Sequence, residues 1–182
     1  MDNSIIKNLC DRTDAKLRYA AIYIDELRKL GTNGNDIDRA HQESFLFHLW
    51  GAKDAFLIEL NLYYGVNLPI KEVSSGILKK ELDKRGKVSN ELIELFTLEN
   101  DNSTWLFNSK EMQDSSTHRT AVSRTFHLGG EFDNQVFLRN PKTGQNIERH
   151  FVDEFADWAL NMKELLERLR ESALRQNNIT MT

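Results

Sequence analysis

Leu17, Ala20, Ala21, Ile24 and Leu27 recur at helical spacing, which predicts a first helix entered at Thr13 and closed after Leu30 by Gly31. From about Asp38 to Tyr64 the chain runs without proline to Gly65, and this second helix is apolar around most of its circumference. Phe45, Leu49, Ala52, Phe56, Leu60 and Tyr63 form one face, Leu46, Trp50 and Leu57 an adjoining one, and His41, Ser44, His48, Gly51, Ala55 and Glu59 a narrow third stripe. A helix of that kind needs cover from several sides.

Beyond Pro69 the pattern shortens. Ile77 to Arg85 reads as a two-turn piece stopped by Gly86, and Ser89 caps a second piece from Glu91 to Leu98. Asp101-Asn102-Ser103 opens a further helix, Thr104 to about His118, with Trp105, Leu106 and Met112 facing inward. The period then changes: Ala121 to Leu128 and Gln135 to Leu138 flank a Gly129-Gly130 turn and predict a β-hairpin. After the breaker Asn140 to Gly144, Asn146 is the expected cap of a last helix carrying Phe151, Phe155, Trp158, Met162, Leu165, Leu166 and Leu169, with residues 173–182 as a frayed tail. The expectation is an all-α fold in one domain over residues 1–182, an up-and-down bundle of four main helices with short connecting helices and a small hairpin before the last one.

Composition narrows the function classes. The 182 residues carry 28 acids against 24 Lys and Arg, two prolines and one cysteine. No run approaches the ~18 to 20 apolar residues that span a bilayer, and the start lacks the apolar core of a signal peptide. A cytoplasmic protein without membrane attachment is expected. Cys10 alone builds neither a disulfide framework nor a thiolate metal site. The formal charge of −4 gives no long-range pull toward phosphate, so nucleic acid would need a local patch. Lys79 to Lys87 is basic but interleaved with Glu81 and Asp83, as on a solvated helix face; Arg124, His127, Arg139 and Arg149 around the hairpin are the better candidate binding surface. Phosphate loops and a Gly-x-Ser-x-Gly elbow are missing, and no cofactor is implied.

Histidine offers two routes to chemistry. His41 and His48 lie two turns apart on one face, about 10 Å, too far to grip one ion together. His48 with His118 and His127 makes a three-histidine set resembling that of the DNA-damage-inducible four-helix metalloprotein family, to which the run His48-Leu49-x-x-Ala52 is also similar; the alternative is a histidine hydrogen-bonded within the bundle.

The second route is the run from Trp105 to Arg119. It resembles the signature region of HEPN domains (higher eukaryotes and prokaryotes nucleotide-binding), small helical bundles in which an Arg, often followed by Asn, precedes a His near a helix end. The order of a long aromatic helix, the motif helix, a short β excursion and a final amphipathic helix extends the resemblance over roughly residues 13 to 172. It implies a dimer that pairs its motifs and cleaves RNA without metal, His moving protons while Arg steadies phosphate charge. His118 fills the histidine slot, but the arginine slot holds Gln113 and the next position Asp114, which repels phosphate; Arg119 is the adjacent cation. The expectation is therefore a HEPN-like binding or regulatory module without catalysis, in a toxin–antitoxin or defence setting, dimeric through the motif helix and hairpin, with RNA or a protein as partner. The alternatives are a divergent metal-independent ribonuclease using His118, Arg119 and Gln113, and the histidine metalloprotein. The same run also reads as an ordinary polar helix end.

Overall fold

The computed structural model describes residues 3–31, 35–118, 122–132 and 135–180, the side chains of Thr117 and His118 excepted. Its elements are α1 (Asn3–Leu30), α2 (Asp36–Tyr63), a 3-10 turn (Ile70–Glu72), α3 (Ser75–Lys84), α4 (Asn90–Asn100), α5 (Trp105–His118), β1 (Arg124–Phe126), β2 (Val136–Arg139), β3 (Asn146–His150) and α6 (Phe151–Gln176). The described chain is mostly helical, with one antiparallel sheet in the order β1-β2-β3.

Several helix ends follow local chemistry. Asn35 accepts from the Asp38 amide at 2.9 Å, Ser89 from Leu92 at 3.3 Å and Thr104 from Phe107 at 3.1 Å, each satisfying an amide the helix leaves open. Gly65 leaves α2 at φ 64°, a left-handed turn only glycine enters cheaply. α2 is central: it packs on α1, α5, α6 and α3, which meets the demand of its broad apolar surface. Phe45, Phe56, Phe155, Trp158, Leu49 and Leu60 fill the core, and Phe45 stacks on Phe155 at 4.4 Å between centroids.

Four expectations are corrected. α1 begins at Asn3, so Thr13 is no cap; it lies in mid-helix, fully buried, because Ile6 and Cys10 carry the inward stripe a further two turns. Asn146 starts β3 instead of α6. Gly144 donates to the Asn140 carbonyl and Asn140 to that of Gln145, both at 2.8 Å, closing a second hairpin that pairs Arg139 with Asn146. The Asn140 carboxamide, buried, accepts from the amides of Lys142 and Thr143 and holds this turn. The first hairpin is shorter than expected, with Phe126 opposite Val136 and Arg124 opposite Leu138; Ala121, Asp133 and Asn134 lie outside the described residues. Finally, α6 continues to Gln176, whose amide donates to Val88 O at 3.1 Å, and Ala173 is fully buried, so residues 173–176 belong to the fold.

Candidate functional site

α5 carries the motif run. Its apolar side seats Leu106 and Met112 in the core, while Ser109 and Ser116 donate back to the carbonyls of Leu106 and Gln113 at 2.9 and 3.0 Å. Such back-bonding belongs to a helix end whose short polar side chains compete with the backbone ladder. Gln113 is half-buried on this helix, and His118 is its last residue. The His118 side chain and the whole of Arg119 lie outside the described residues.

Of the expected cationic surface, Arg124 is taken up by an internal partner, while Arg139 and Arg149 stay at the surface. Arg124 donates from Nη1 to Asp38 Oδ2 at 2.8 Å, and the two side chains are only 5% and 1% exposed. Gln42 Nε2 donates to the other Asp38 oxygen at 2.5 Å, and the guanidinium lies over the Phe151 ring at 5.3 Å. This pair straps β1 to the start of α2 and leaves Arg124 nothing to offer a phosphate. Arg139 donates to the Gly144 carbonyl at 3.0 Å, and Arg149 is bonded to Asp157. His127 packs on Phe137 at 4.5 Å and Phe132 at 5.8 Å, with Nε2 buried and unpartnered. The hairpin also exposes apolar side chains: Phe126 (52%) and Leu128 (88%), with Phe132 (37%) beside them, packed on one side against His127 and Phe137.

His48 sits elsewhere, between α2 and α1. Its ring stacks on Tyr23 at 5.5 Å, meets the edge of Tyr19 at 5.3 Å and touches Phe47. Nδ1 is buried without a partner. Burial, and secondly the Lys16 ammonium, hold its pKa below the ordinary histidine range. His48 and His127 thus occupy different aromatic clusters, and no group of three His, Cys, Asp or Glu side chains is placed to hold a metal among the described residues.

Two buried polar networks were not anticipated. Glu59 of α2, fully buried, accepts from Arg170 Nε and Nη2 of α6 at 2.7 and 2.9 Å, from Thr13 of α1 at 2.5 Å and from Tyr63 at 3.0 Å, with the Cys10 thiol 3.6 Å away. Arg170 also reaches Asp14 at 3.0 Å. Burial pushes the Cys10 thiol and the Tyr63 phenol up, and the Glu59 charge adds to both. Burial opposes the charge of Arg170, but its bonds to Glu59 outweigh this and raise its pKa. In the second network Glu91 of α4 accepts from Tyr64 at 2.6 Å, Ser89 at 2.8 Å and Ser172 at 2.6 Å. Burial works against that carboxylate, and the hydroxyls of Ser172 and Tyr64 overcome it to lower its pKa. Each carboxylate is held by several side-chain donors, most of them from other elements, an arrangement that ties the helices together. Glu59 stands on the stripe with His48 in the sequence; an acid on so apolar a helix is the signal that a buried cation lies opposite.

No protein-family model, curated protein or solved structure matches the chain.

Proposed function

We propose that this chain is a HEPN-like, non-catalytic binding module of the cytoplasm that grips RNA or a protein partner through the hairpin following its motif helix. The observation that carries the reading is the exposed apolar tip of Phe126, Leu128 and Phe132. Phe126 and Leu128, with the outer side of Phe132, present apolar surface to water, and covering it with another surface is favourable. The order of elements supports the resemblance: α5 ends at His118 and leads into the small sheet, and α6 follows. The absence of catalysis rests on charge. Gln113 replaces the arginine that would steady phosphate, and Arg124, the described cation next in the chain after the motif, is committed to Asp38.

The test is affinity capture from cell extract with the native chain and with a Phe126→Ser, Leu128→Asp variant side by side. An RNA or protein retained by the native chain and lost by the variant is expected. The reading fails if both retain the same set.

A further inference from the structure

The outer side of α1 carries a second unpartnered surface. Arg12, Ala15, Tyr19, Ile22 and Glu26 follow one another at alternating intervals of three and four residues, which on a helix places them on one stripe about 21 Å long. None of the five belongs to the core; Tyr19 and Ile22 are 46% and 55% exposed, and Phe47 of α2, 57% exposed, stands beside them through His48. Among the described residues Arg12 makes no ion pair, and the ion pair of Glu26 is with Lys29 of its own helix, 2.7 Å away in solvent, with the His41 ring also near enough to act on its charge.

The stripe reads as its own complement when reversed. Arg12 and Glu26 lie seven residues to either side of Tyr19, and Ala15 and Ile22 lie four and three residues to either side. We propose that this face binds a second copy of the chain, α1 against α1 in antiparallel two-fold packing centred on Tyr19. Arg12 then faces the partner's Glu26, and Ile22 enters the space left by the partner's Ala15. Two-fold symmetry makes each contact twice, so one protomer needs both the cation and the acid, and both the large residue and the small one. No other occupant calls for that palindrome. The dimer expected from the sequence on α5 and the hairpin is thereby moved to α1, leaving the hairpin tip free for its partner.

Sedimentation velocity of the purified chain tests this. The native protein is expected to dimerise, and Arg12→Glu or Glu26→Arg alone to weaken the dimer at least about tenfold, since each sets two like-charge pairs across the interface. Mixing the R12E chain with the E26R chain is expected to restore a one-to-one dimer, as is placing both changes in one chain; all positions are on the surface, and circular dichroism checks that helix content is unchanged. A native chain that stays monomeric, or a dimer indifferent to both reversals, overturns the proposal. Neither result touches the hairpin-tip reading, which the capture experiment decides separately.

Discussion

Arg170 holds Glu59 by two parallel hydrogen bonds, Nε to Oε2 at 2.7 Å and Nη2 to Oε1 at 2.9 Å, across the junction of α6 with α2. The glutamate is wholly out of water and the arginine nearly so, so neither charge tolerates losing the other. Glu59→Ala is expected to cost about 3 to 5 kcal/mol in urea unfolding, because the buried guanidinium keeps only the half-exposed Asp14 as its counter-charge. Replacing the pair together, Glu59→Leu with Arg170→Met, is expected to recover part of that loss, the rest being held back by the Thr13 and Tyr63 hydroxyls that lose their acceptor. A double variant as unstable as the single one would show that the pair itself, and not its orphaned charge, sets the stability.

Asp38 and Arg124 make the corresponding strap between α2 and the sheet. Asp38→Ala is expected to destabilise by about 3 kcal/mol and to raise hydrogen exchange at β1 amides ahead of those in α2. Equal protection of β1 in variant and native chain would place the anchor of the sheet elsewhere.

The His48 ring titrates below the ordinary histidine value because its surroundings disfavour the charged form. The unfolded chain therefore binds the proton more readily, and the stability this ring contributes is complete above about pH 6.5 and is lost as the pH falls below it. His48→Phe is expected to flatten the decline of stability between pH 7 and pH 5 relative to the native chain. Parallel profiles from thermal melts would contradict this.

Cys10 is 6% exposed and bonded within the Glu59 cluster, with its thiol pKa raised by burial. Its reaction with a disulfide reagent is expected to be slow in the folded protein and to accelerate with urea along the unfolding curve. Immediate labelling without denaturant would show that α1 opens locally.

The helices were legible in the sequence wherever a local signal marks an end: Ser89, Gly65 and Gly86 each stand where they were placed. The early start of α1 was missed because Asn3 to Thr13 is mostly polar, and its inward stripe rests on Ile6, Cys10 and Thr13. β3 was missed because Asn146 satisfies a helix cap as well as a strand edge, and only its pairing with Arg139 decides between them. The candidate site was less legible for the same reason. That Arg124 belongs to Asp38 is a contact between residues 86 positions apart, which no local period encodes.

Whether the chain lacks catalysis is tested most directly by a single-turnover time course of end-labelled, mixed-sequence RNA with excess protein and a chelator, native and His118→Ala in parallel. Full-length RNA with superimposable courses for the two proteins is the expected result. Fragments that accumulate with the native chain and vanish with His118→Ala would establish a ribonuclease and contradict the binding-module reading.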